Sequence, residues 1–154
     1  MVRLRKLAAG DYRAVKKVER IIVDEYLGYL KETGEDTIEP WITPEYFNHY
    51  LRARASYVAE IDRKLVGFIL TQPTSFVHSA KRELWLEYIA VRPASRRKGI
   101  GTKLMSTVIE YANTHDISFL CTTLNPNNSE SIQFLTMHGF EVKDWKKASK
   151  KLKH

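Results

Sequence analysis

The segment from Leu84 to Tyr111 constrains this chain more than any other. Leu86-Glu87-Tyr88-Ile89-Ala90-Val91-Arg92-Pro93 is a nearly continuous apolar run, and it passes through Arg96-Arg97-Lys98-Gly99-Ile100-Gly101 into a helical pattern. Such a run reads as a central strand, covered on both faces of a sheet. A strand that enters a glycine-opened helix across a short basic loop brings exposed N–H groups close to an anion, because glycine removes the side chain that would hold it away. Arg96, Arg97 and Lys98 sit where a pyrophosphate would lie.

The flanking periodicities predict one mixed sheet with helices. Met1 to Leu7 alternates as an opening strand. Asp11 then caps a helix whose apolar positions Val15, Val18, Ile22 and Tyr26 keep helical spacing, with Gly28 weakening it and Gly34 ending it. Thr43-Pro44-Glu45 starts a second helix with a hydroxyl cap and a proline in the first turn. Tyr57 to Ile61 and Leu65 to Thr71 form a hairpin across Asp62-Arg63-Lys64. Glu83 to Val91 is the central strand, and Ile100, Leu104, Val108 and Tyr111 mark the buried face of the next helix. Ser118 to Leu124 is another strand. A short helix from Asn127 to His138 follows, with Glu130 as capping-box partner and Gly139 as its stop, and Phe140 to Trp145 is the expected last strand. The order is βααββ followed by βαβαβ, an α/β (α+β mixed) fold in a single domain of residues 1–154, with a basic tail from about 146 to 154.

The net charge of +7 is unevenly spread. Between Asp24 and Glu45 seven acids face one base, Lys31, so a segment of net −6 sits in a chain whose other residues carry +13. One face is suited to an anion and another to a cation. No nucleic-acid motif or aromatic-interleaved basic stripe accompanies the positive charge, so no nucleic-acid partner is expected. With 44% hydrophobic residues and no apolar run near the length of a span, no membrane partner is expected either. The first residues lack the pattern of a signal peptide, and a cytoplasmic protein is the expectation. Cys121, the single cysteine, lies in a strand pattern where a thiol packs as a small hydrophobe, and the five histidines show no metal-ligand spacing.

With these residues in view the chain resembles the GNAT superfamily of acyl-CoA-dependent N-acyltransferases. Arg96-x-x-Gly99-x-Gly101 is similar to the family's (Gln or Arg)-x-x-Gly-x-(Gly or Ala) loop, and Asn128-x-x-Ser131 with Phe134 and Gly139-Phe140 to its later motif. The resemblance implies a sheet, mostly antiparallel, splayed at the central strand. It implies acetyl-CoA as acyl donor, with its pyrophosphate held by Arg96, Arg97, Lys98, Gly99, Ile100, Gly101 and Thr102 and its pantetheine arm touched by Asn128. It also implies main-chain donors for the developing oxyanion at Ile89, Ala90 and Val91, beside a bulge. The third glycine of a dinucleotide-binding Gly-x-Gly-x-x-Gly is Leu104 here, which excludes that reading.

An amine attacks a thioester only as the free base, and an unperturbed alkylamine has a pKa of about 10.4, so the reaction needs a proton acceptor. Glu87 is the only charged residue between Leu84 and Val91, and a carboxylate in a central strand is costly unless paired or used. It is the expected base; pairing with a neighbouring arginine, or emergence at an exposed strand end, is its structural alternative. Where many relatives carry a tyrosine that protonates the departing thiolate, this chain has Leu135. Tyr88, by alternation, faces away from Glu87. The expected activity is acetyl transfer from acetyl-CoA to a primary amine, and a module that binds acyl-CoA without turnover is the alternative. The acidic segment, interleaved with Tyr26, Tyr29, Trp41 and Tyr46, has two readings: a solvated helix-loop-helix surface, or one that selects an acceptor with further positive charge, such as a polyamine or a peptide or protein amine.

Overall fold

β1 (Val2–Lys6), β2 (Tyr57–Ile61), β3 (Lys64–Ser75), β4 (Arg82–Val91) and β5 (Phe119–Cys121) form one sheet in the order β1-β2-β3-β4-β5. The first four are antiparallel neighbours and β5 runs parallel to β4, as its helical crossover requires. The computed structural model describes residues 1–33, 40–75, 81–124, 126–146 and 148–153, with the main chain alone at 29–33 and 75. It comprises two compact units, Met1–Thr122 and Thr123–His154.

In the first unit, α1 (Tyr12–Thr33) and α2 (Pro44–Ala53) cover one face of the sheet. Val15 and Val18 of α1, Ile42, and Phe47 and Tyr50 of α2 pack against Val58, Phe68, Leu70 and Ala90 in one buried cluster. α3 (Ile100–Thr114) covers the other face: Tyr57, which alternates with Val58, meets Tyr111, and Leu104 lies over Gly67. Thr43 caps α2 as its sequence predicts, its Oγ1 accepting from the Tyr46 N–H at 3.2 Å. The β2–β3 hairpin turns on Asp62 and Arg63, both at positive φ, the geometry that matches strand twist.

Asp11 departs from its expected role. It closes a short 3-10 turn, and its carboxylate reaches back to the Ala8 N–H at 2.8 Å and to the Arg5 guanidinium at 2.8 and 2.7 Å. Arg5 also holds Glu60 of β2, and these two carboxylates keep the guanidinium charged far beyond its ordinary range. A bidentate charge-assisted pair outweighs a single cap bond, so the carboxylate turns toward β1.

In the second unit, α4 (Ser129–Met137) is capped by Asn128, one residue later than expected, and Glu130 stands in its first turn. Gly139 ends it at φ +83, with Gly139 N–H bonded to Thr136 O and Phe140 N–H to Leu135 O, both at 3.0 Å. The expected strand from Phe140 to Trp145 does not form. Alternation specifies a strand only when a neighbour supplies the ladder, and here Val142 and Trp145 are exposed. The expected helix end at Gly34 lies outside the described residues.

Gly67 lets β3 lie close beside the end of β4: a Cβ there would stand 2.8 Å from Ala90 O. Gly67→Ala is expected to destabilise the protein by about 1–3 kcal/mol, read as a lower urea midpoint at unchanged slope.

Candidate active site

The site is organised by a mismatch between β3 and β4. Leu70 pairs with Tyr88 and Thr71 with Leu86, which leaves Glu87 as an extra residue. Such a bulge sets two consecutive side chains on the same side of the sheet. The Tyr50 hydroxyl of α2 donates to Glu87 Oε2, and the Tyr88 ring stacks on Trp41 at 5.3 Å and meets Phe68 edge-on at 5.1 Å. Trp41 also contacts the rings of Tyr46 at 5.9 Å and Tyr50 at 6.4 Å. Simple alternation therefore fails here: Glu87 and Tyr88 both serve the α1–α2 side. The bulge stands at Glu87, earlier than expected, while Ile89, Ala90 and Val91 pair regularly with Ile69, Phe68 and Gly67.

The other edge of β4 is only partly covered. β5 pairs with Glu83, Leu84 and Trp85, and Thr122 Oγ1 donates to Leu86 O at 2.7 Å. From Glu87 to Val91 no strand among the described residues pairs with that edge, and a strand edge of this kind can pair with an extended ligand. This is the splay expected at the central strand.

Below β4 the chain makes a 3-10 turn (Pro93–Ser95) and enters α3 through Arg97 at φ +60 and Gly99 at φ +73. The N–H groups of Arg97, Lys98, Gly99, Ile100 and Gly101 donate to no main-chain carbonyl among the described residues, and the first helical bond is Lys103 N–H to Gly99 O at 3.0 Å. Together with the helix dipole they make an anion cradle. Arg97 and Lys98 are exposed and hold no ion pair among the described residues. Arg96 differs from the expectation: its guanidinium grips Glu25 of α1 at 2.8 and 2.7 Å, and its Nε donates to Val91 O at 3.0 Å. It ties the loop to α1, and Arg97 and Lys98 are the loop cations left without an ion partner among the described residues. Glu25 is thereby neutralised within the acidic segment; the side chain of Glu32, and Glu35, Asp36 and Glu39, lie outside the described residues.

Burial, reinforced by the hydrogen bond to Glu87, lifts the Tyr50 phenol far above its usual range. Burial, with a smaller push from Glu19, raises Tyr88 to about 12. Both rings stay protonated at any physiological pH, so Tyr50 is a permanent donor. Glu19 itself is fully buried and accepts the N–H groups of Trp41 and Ile42 at 2.8 and 3.0 Å, with Lys16 as its ion partner. It places Trp41. Sequence reasoning passed over Glu19, Glu25 and the hydroxyl of Tyr50. Two signals were present: Glu19 occupies an apolar-stripe position between Val15 and Ile22, and a tyrosine three residues beyond Phe47 on a buried face needs a partner for its hydroxyl.

Residues 16–140 match the family model described as acetyltransferase (GNAT) family. The chain belongs to this family. Among curated proteins, this GNAT chain is similar to the probable N-acetyltransferase camello of Xenopus laevis, 34% identical over 85 residues, or 55% of this chain and 37% of that protein. It spans less than half the length of the curated relatives it matches. In fold it is similar to the aminoglycoside N-acetyltransferase AAC(6')-Iy in complex with CoA, at TM-score 0.75 and 17% identity over 98% of this chain and 95% of that one. Arabidopsis thaliana Naa50 in complex with the bisubstrate analogue CoA-Ac-MVNAL aligns at TM-score 0.73 and 16% identity, over 93% and 85% of the two chains.

In the GNAT chain described here, Asn128 spends its side-chain oxygen on capping α4, accepting the Ser131 N–H at 3.1 Å. Leu135 is buried, and His138 packs against Phe134 at 4.6 Å. Cys121 is partly buried, and burial, then Glu83, pushes its thiol above the usual range. Its carboxymethylation at pH 8 is therefore expected to be slower than that of an unfolded-chain thiol, and to reach that rate on denaturation. Gly99→Val is expected to lose CoA affinity by calorimetry, because a β-branched residue at φ +73 is strained and displaces the cradle; unchanged affinity would move the anion site elsewhere.

Proposed function

We propose that this chain transfers the acetyl group of acetyl-CoA to a primary amine by direct attack in a ternary complex. One observation carries the reading: the uncovered edge of β4 from Glu87 to Val91 runs between an anion cradle at the start of α3 and a carboxylate turned toward an aromatic cluster. The residues fit the cofactor. N–H groups from Arg97 to Gly101 without main-chain acceptors among the described residues, with Arg97 and Lys98, suit a pyrophosphate, and the open strand edge suits the amides of an extended pantetheine. When bound, acetyl-CoA supplies the thioester carbonyl.

Glu87 would take a proton from the incoming ammonium and leave its nitrogen able to attack. The carbon–nitrogen bond forms as the carbon–sulfur bond breaks; the nitrogen then sheds its second proton to the departing thiolate, and the proton gained by Glu87 returns to solvent. The thiolate needs no dedicated acid, since a thiol of pKa about 8.5 is a tolerable leaving group. N–H groups from Ile89 to Val91 on the uncovered edge are candidates to stabilise charge on the carbonyl oxygen. Holding both reactants side by side supplies much of the rate. Glu87→Gln is expected to lower kcat by about 10²-fold or more with CoA affinity near wild type. An undiminished rate would assign the base elsewhere.

For the acceptor, the cluster of Trp41, Tyr46 and Tyr88 beside Glu87 supports an amine with additional positive charge. The acceptor class named for one neighbour, an aminoglycoside, carries several amines and is in keeping with this; the MVNAL peptide of the other's bisubstrate analogue has no basic side chain and is in keeping only with an amine acceptor. Spermidine and a lysine-containing peptide are expected to exceed a neutral amine in kcat/KM. The advantage should shrink as salt rises through about 0.15 M, where the Debye length is roughly 8 Å. Equal values without salt dependence would remove the preference for cations. A module that binds acyl-CoA without turnover is the second reading, favoured by Leu135, and turnover with the same amines decides between the two.

A further inference from the structure

Glu87 is the exposed member of a pair whose other member is almost wholly enclosed. Tyr50 is 1% exposed, yet its hydroxyl reaches Glu87 Oε2. Two features of the fold make that contact possible. The β4 bulge turns Glu87 to the α1–α2 side, and α2 directs Tyr50 at the sheet from a buried position three residues after Phe47. The ring is held by Trp41 at 6.4 Å and by His49 at 6.1 Å, and the Trp41 main chain is in turn anchored on the buried Glu19. Glu87 Oε1 has no hydrogen-bond partner among the described residues.

We propose that Tyr50 is a positioning residue that acts through Glu87, fixing the carboxylate by one oxygen and presenting the other, Oε1, to the amine. This rests on the reading of Glu87 as base. A carboxylate on a bulge has several open rotamers, and proton transfer requires a heavy-atom separation near 3 Å, so a rigid donor on one oxygen raises the fraction of time the other is usefully placed. Tyrosine suits this task because its ring has few rotamers and its phenol remains a donor across the working pH range. The proton itself moves only from the ammonium nitrogen to Glu87 Oε1; the Tyr50 O–H bond stays intact throughout. A network of this kind is worth more than its separate contacts, which a double-mutant cycle can measure.

The test uses the full chain in four forms: wild type, Tyr50→Phe, Glu87→Gln and the double variant, each assayed for kcat and for KM toward acetyl-CoA and spermidine. Tyr50→Phe keeps the ring and is expected to lower kcat about 10-fold with both KM values within twofold, since it removes a hydrogen bond to a charged group. In the Glu87→Gln background the same change is expected to cost nothing further. Losses that multiply, a loss confined to KM, or no loss in Tyr50→Phe would each overturn the positioning role. If Glu87→Gln runs at the full rate, the base reading fails and the positioning role falls with it. If Glu87→Gln is slow while Tyr50→Phe is unaffected, only the positioning role falls. A second measurement is independent of whether Tyr50→Phe folds: the ring-carbon NMR resonance of Tyr50 next to its oxygen should move in Glu87→Gln. An unmoved resonance would mean that the pair does not exist in solution.

Discussion

Over the stretch where β3 and β4 pair, β4 carries one residue more, and the surplus is absorbed at Glu87. A bulge of this kind costs a ladder bond and adds local twist, and here both consequences serve the site. The lost alternation puts the carboxylate and Tyr88 on the helix-covered side. The bulge also lies just past Trp85, where β5 stops pairing and the other edge of β4 is uncovered. Had the strands matched residue for residue, Glu87 would point toward the α3 side, away from Tyr50 and Trp41.

What surrounds the carboxylate is held by a second, deeper carboxylate. Glu19 is fully buried in α1 and would be prohibitively costly there alone; two N–H groups from Trp41 and Ile42 and the Lys16 ammonium compensate it. The arrangement fixes the segment entering α2. Trp41 is then placed to stack on Tyr88, and Tyr50 arrives within reach of Glu87. One buried charge thus sets the position of an aromatic cluster that local propensity would leave undetermined.

Electrostatics divide the basic loop between structure and binding. Arg96 is consumed by Glu25 and Val91 O, a bidentate pair that docks the loop on α1 without the cost of burying either charge fully. Arg97 and Lys98 stay in solvent beside a run of uncommitted N–H groups. One cation of the loop is paired with α1 while the other two have no ion partner among the described residues.

The sequence by itself determined the elements whose causes are local. The hydroxyl cap and proline starting α2, the apolar stripe of α3, the left-handed glycine at its entrance and the glycine that stops α4 each act within a turn or two of chain, so they are legible one residue at a time. Glu87 stood out for the same reason, as a lone charge in an apolar run. Tertiary structure decided what depends on register and on distant partners. Nothing in β4 alone says that it carries one residue too many for β3, so the bulge, the shared side of Glu87 and Tyr88 and the Tyr50 contact were hidden. The pairing of Arg96 with Glu25, seventy-one residues earlier, was hidden in the same way. Phe140 to Trp145 has the alternation of a strand, but a strand exists only through the ladder a neighbour provides, and no stretch of sequence carries its own neighbour.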